Sequence, residues 1–149
     1  MALHRLVYHS RQTPEATRDL DEQVRGIIQV SIANNRAADL TGLLVTIQDF
    51  FLQVLEGPPI AVQTAYGRIL NDPRHTDAVV ISAGPAERRL FGDWNMCARA
   101  IAPSDKAILD VIDKKGVFDP RQLRPESALR LLTTVAGIQR RTALSALAG

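Results

Sequence analysis

Cys97 is the only cysteine in this chain. A lone cysteine closes no internal disulfide and supplies no metal cage. The three histidines, His4, His9 and His75, are spread along the chain and form no ligand cluster, so no metal site is expected either. Long hydrophobic runs are missing. No stretch approaches the roughly 18 apolar residues that a membrane span requires. The opening Met1-Ala2-Leu3-His4-Arg5 lacks the apolar core of a signal peptide, which makes the cytoplasm the default expectation. Charge of one sign is missing as well. The formal net charge is +2, too weak to point to nucleic acid, and the pairs Arg88-Arg89 and Arg140-Arg141 read as solvated faces. There is no G-x-G-x-x-G, so no phosphate is expected in a Rossmann turn. Internal repeats and low-complexity segments are absent.

What remains is a chain of 149 residues, 46% hydrophobic and 23% charged, which describes one soluble globular domain with a short appendage. Its centre is Phe50-Phe51-Leu52-Gln53-Val54-Leu55-Glu56-Gly57. Aromatic and β-branched residues there predict a buried strand closed by a glycine turn. Gln53 sits in the middle of that strand. A buried amide must find partners, because leaving a buried polar group unpaired costs roughly 1–3 kcal/mol. Glutamine both donates and accepts, so it can grip a heteroaromatic ligand and can also turn over.

The other elements follow in order. Leu3 to Ser10 reads as a central strand. Thr17 to Asn34 reads as an amphipathic helix, with Leu20, Val24, Ile27, Ile28 and Ile32 on one stripe. Leu40 to Ile47 is a second strand, joined to the central stretch by Gln48-Asp49 as a hairpin. After Gly57-Pro58-Pro59 comes a second helix carrying Val62, Ala65, Tyr66 and Ile69, stopped by Asn71-Asp72-Pro73. Ala78 to Ser82 and Asn95 to Ile101 complete the strands. The order β-α-β-β-α-β-β predicts a ferredoxin-like α+β fold, a mixed sheet with both helices on one face. Beyond Pro103, Ile108, Val111 and Ile112 mark a short helix. Leu129, Leu132, Val135, Ala136 and Ile138 mark another, followed by an apolar tail from Ala143 to Leu147. This C-terminal pair must cover the sheet's other face or a partner subunit, so at least a dimer is expected.

Tyr8 in the first strand, Asn35 at the end of the first helix, Gln53 in the hairpin, and Trp94-Asn95-Met96 opening the last strand stand out together. Read singly, Tyr8 is a strand tyrosine reaching solvent, Asn35 a helix cap, Asp72 a turn residue, His75 a loop residue, and Trp94 and Met96 core filling. Together they resemble the BLUF family of blue-light sensors using flavin. The matching segments are Leu6 to Ser10, Asn34-Asn35 with Leu40 to Leu44, Phe51 to Gly57, Arg68-Ile69 with Asp72 to His75, and Phe91 with Trp94 and Met96. The resemblance divides the chain into a flavin-binding domain, residues 1–102, and a helical extension, residues 103–149. It implies a non-covalent flavin, FAD with FMN or riboflavin also accepted, held between the two helices. By the same resemblance Asn34, Asn35, Arg68 and Asp72 bind the flavin. Gln53 bridges the flavin edge and Tyr8, and Trp94 and Met96 pass on the signal. The function implied is photoreception rather than catalysis, with output to an unidentified protein or through a homo-oligomer. Two other readings stand beside it: a small acyl-phosphate hydrolase on the same fold, and a binding module without pigment. The turn Arg11-Gln12-Thr13-Pro14 lacks the glycines of an anion cradle, which weighs against the hydrolase.

Overall fold

The computed structural model describes residues 2–13, 38–47, 50–73, 75–91, 95–101 and 123–148, with residues 47, 95–101 and 138–148 described by backbone only. The expected first helix with Asn34 and Asn35, the turn Gln48-Asp49, Trp94, and the short helix around Ile108 lie outside the described residues. The described elements are β1 (His4–Gln12), β2 (Thr41–Ile47), β3 (Phe50–Gly57), α1 (Pro59–Leu70), β4 (His75–Pro85), β5 (Asn95–Ile101) and α2 (Pro125–Ala148).

The five strands form one sheet in the order β4-β1-β3-β2-β5. Neighbours in the first four are antiparallel, and β5 runs parallel to β2. This is the ferredoxin-like arrangement with one strand added. The hairpin register closes at Ile47 opposite Phe50, as a two-residue connection requires. β4 is longer than the apolar run Ala78 to Ser82, because its ladder with β1 continues through His75 and Thr76 at one end and Gly84 and Pro85 at the other.

Side chains alternate across the sheet, and the alternation sorts the core into two layers. One face carries Leu6, Tyr8, Leu44, Phe51 and Leu55 and packs against Val62 of α1, with Ala61, Ala65, Tyr66 and Ile69 at its margin. Pro59 opens α1 at its first turn, where the missing N–H is of no consequence. The opposite face carries Val7, Leu43, Val45, Leu52 and Val54 and packs with Phe91 and with Ala128, Leu131, Leu132, Val135 and Ala136 of α2. The expected C-terminal stripe therefore lies on the sheet. Its burial there removes the stripe as a reason to expect an oligomer. The apolar tail from Ala143 is no separate segment: α2 runs on to Ala148.

Candidate functional site

Tyr8 and Gln53 face each other across the β1–β3 ladder. Both side chains point to the α1 face, and both are buried, with Tyr8 at 0% and Gln53 at 3% exposure. The Tyr8 hydroxyl donates a hydrogen bond to Gln53 Oε1. The strand pattern accounts for the pairing. Phe51, Gln53 and Leu55 share one face of β3, and Leu6, Tyr8 and Ser10 share the matching face of β1. The register then sets the one phenol of β1 opposite the one amide of β3.

Other polar groups gather round this pair. Ser10 Oγ lies 2.8 Å from His75 Nδ1, at the first residue of β4. The His75 ring lies tilted against Phe51 with centroids 4.4 Å apart and meets the Tyr8 ring edge-on at 6.4 Å. Tyr66 of α1 tilts over Tyr8 with centroids 5.2 Å apart. Burial pushes the Tyr8 phenol well above its ordinary pKa, and Tyr66 and Asp72 add to the rise electrostatically. Tyr66 is raised by its own desolvation. Tyr8 therefore keeps its proton and stands ready as a donor.

The structure thus brings together Tyr8, Gln53 and Asp72 of the expected set. Asp72 sits in the turn that leaves α1, its N–H donating to the Ile69 carbonyl at 3.0 Å. Arg68, on the last turn of α1, is exposed. Met96 falls in the β5 backbone at a register shift, since Gly42 pairs with Asn95 and Leu43 already with Cys97. Ser10, Tyr66 and His75 were not expected at the site. The spacing Tyr8-x-Ser10 on one strand face is the signal that could have shown the first of them. His75 is a strand residue and not a loop residue.

The donor set fits a flavin ring. Apolar walls from Leu44, Ala65 and Ile69 surround a buried phenol and amide that can both donate and accept, the composition of a small-molecule site with a few orienting polar groups. Among the described residues no group of histidine, cysteine or acidic side chains can hold a metal ion, and no helix is long and apolar enough to cross a membrane.

A second polar cluster lies at the far end of β3, and sequence reasoning missed it. Glu56 is fully buried. Its carboxylate accepts from Arg5 Nε at 2.7 Å, from the Leu90 N–H at 3.0 and 3.1 Å, and from the Phe91 N–H at 2.8 Å. Arg89 donates to Thr41 Oγ1 at 2.9 Å, to the Glu56 carbonyl at 3.2 Å and to the Asp39 carbonyl at 2.8 Å. Arg89 is accordingly a structural tie, and the expectation of a solvated Arg88-Arg89 face fails for it: its guanidinium is needed by three carbonyl and hydroxyl oxygens that have converged at the end of the sheet.

Comparison with known proteins identifies the family. The family described as sensors of blue-light using FAD (BLUF) matches residues 3–97. The chain is 34% identical over 95 residues to photoactivated adenylate cyclase subunit beta of Euglena gracilis, covering 63% of this chain and 11% of that protein. It is 42% identical over 79 residues to the blue light- and temperature-regulated antirepressor BluF of Escherichia coli (strain K12), covering 51% of this chain and 20% of that one. It thus spans a fifth or less of these curated relatives. The solved structure of the BlsA photo-activated state superimposes with a TM-score of 0.78 at 22% identity, over 89% of this chain and 93% of that one. The chain belongs to the BLUF family, whose module is a sensor of blue light that uses a flavin.

Proposed function

We propose that this chain is a blue-light photoreceptor in which Tyr8 and Gln53 carry out the photochemistry. The observation that carries this reading is the buried hydrogen bond from the Tyr8 hydroxyl to Gln53 Oε1. A bound flavin, when excited by blue light, supplies a strong one-electron oxidant. Tyr8 is the electron source, and its retained phenolic proton leaves along the hydrogen bond to Gln53. Gln53 would relay that proton, electron and proton would then return to Tyr8, and Gln53 would come to rest in a different orientation or tautomer, because an amide can exchange its donor and acceptor ends. The altered hydrogen bond to the pigment shifts its absorption to the red. Asn34, Asn35, Arg68 and Asp72 hold the pigment, with Asp72 supported by its electrostatic proximity to Tyr8. FAD is the expected form, with FMN or riboflavin also accepted.

Residues 103–149 act as the output extension of the domain formed by residues 1–102. Trp94 and Met96 pass the change toward that extension, and a downstream protein in the cytoplasm, or a second copy, receives it. The purified protein should be yellow, and acid precipitation should release the pigment. Blue light should then give a reversible red-shifted difference spectrum. A colourless protein, or pigment that stays attached to the chain, would overturn this reading.

A further inference from the structure

We propose that Glu56 is a positioning residue that couples the photochemical strand to the C-terminal helix. The inference rests on the photoreceptor reading above and names a route for its output. Glu56 lies on β3, three residues beyond Gln53 and one before the glycine that ends the strand. Its buried carboxylate grips both backbone N–H groups of Leu90 and Phe91, so the segment after β4 is fastened to β3 itself. Arg5 doubles the grip: its Nε binds Glu56 Oε2 and its Nη2 donates to the Arg88 carbonyl at 2.8 Å. Arg89 adds a third tie, to the Asp39–Thr41 entry into β2.

Phe91 is what makes the grip consequential. It is fully buried, but in the core layer shared with Ala128, Leu131, Leu132 and Val135 of α2, on the sheet face opposite Tyr8 and Gln53. A side chain on the pigment face has no direct route through the sheet to α2. Glu56 supplies one around its end. A shift of β3 along its axis moves a carboxylate that holds Phe91 by the backbone, and Phe91 lies in the packing of α2. The coupling is carried by a contiguous set of hydrogen bonds and one packed ring, which is the physical form such coupling takes. Close packing at the end of the strand leaves little slack. A β-carbon at Gly57 would stand 2.7 Å from Leu40 Cδ2 and 2.9 Å from the Asp39 carbonyl oxygen.

Light-minus-dark hydrogen exchange on the flavin-loaded full chain tests this. In the unaltered chain, peptides covering 88–91 and 125–137 should change their exchange under blue light. Glu56→Gln should keep the pigment and the red shift and lose the light-dependent difference in 125–137. A residue with a merely structural role would raise exchange in dark and light alike and leave the difference standing. Phe91→Leu provides the second arm, since it removes the packed ring on the proposed route without touching the carboxylate, and it decides the matter if Glu56→Gln fails to fold. A red-shifted Glu56→Gln, or failing that Phe91→Leu, whose 125–137 difference equals that of the unaltered chain overturns the inference, as does an unaltered chain that shifts its spectrum without any change in 125–137. Absence of the red shift from the unaltered chain would instead strike at the photoreceptor reading.

Discussion

At Tyr8 and Gln53, bulk and hydrogen-bonding capacity can be separated by single substitutions. Tyr8→Phe keeps the ring that packs against Tyr66 and takes away the donor to Gln53. The loss of a buried partner costs about 1–3 kcal/mol, less than the roughly 5–15 kcal/mol by which a domain is stable. The variant should fold, hold its pigment and give no red-shifted state. Gln53→Leu should do the same, since leucine has similar bulk and neither donates nor accepts. A normal reversible red shift in Gln53→Leu, read in the difference spectrum, would end the proposed mechanism. The phenol also predicts an alkaline limit. Its folded pKa is raised above the unfolded value of about 10, so the native state keeps the proton that the unfolded chain gives up. Stability is whole below the unfolded pKa and falls as pH rises from there toward the folded one. Melting curves across that window should fall less steeply for Tyr8→Phe, with Tyr66 supplying part of the remaining slope.

At the scale of elements, the strands β3 and β5 and the inner face of α1 were legible because apolar patterning, glycine and proline mark them directly. The polar pair was legible only through the resemblance of the matched segments, since Tyr8 read singly is a strand tyrosine reaching solvent. Three features were not. The ends of β4 have no apolar signal, and only pairing with β1 makes them strand. Glu56 looks like a charge beside a turn until the N–H groups of Leu90 and Phe91, 34 and 35 positions away, come to it. Arg89 reads as half of a solvated pair because its partners at Thr41 and Asp39 are long-range. Gly57 is the local test of this end of β3. Its lack of a side chain allows the Asp39–Leu40 backbone to pass against it. Gly57→Ala should lower stability by roughly 1–3 kcal/mol, the usual cost of forcing atoms into a packed site, as read by denaturant midpoint. An unchanged midpoint would mean that Asp39 and Leu40 move aside freely. Met96 belongs to the same scale. It lies where β5 slips against β2, and such irregularities re-aim side chains. Met96→Ala should keep the pigment and the red shift and weaken the light-dependent change in α2, read by hydrogen exchange.

Across the whole molecule, the sheet divides the work between its faces. The α1 face holds Tyr8, Gln53 and the Ser10–His75 contact, while the α2 face is a mainly aliphatic layer with Phe91, closed at the end of β3 by the buried Glu56 carboxylate. Pigment chemistry and fold stability should therefore respond to different substitutions. Leu132, fully buried in α2, fills the apolar layer and has no place beside the pigment pair. Leu132→Ala should cost about 2–5 kcal/mol through lost burial and the cavity left behind, yet leave the amplitude of the red shift intact in the fraction that is folded. Tyr8→Phe should show the reverse, a modest loss of stability with the red shift gone. Chemical denaturation and difference spectra on both variants, normalised to bound pigment, would give a crossed pattern. If Leu132→Ala diminished the photoproduct as fully as Tyr8→Phe does, the two faces would not be separable. The sheet would then have to be treated as one coupled unit, in which the packing of α2 reaches Gln53 directly through the backbone of β3.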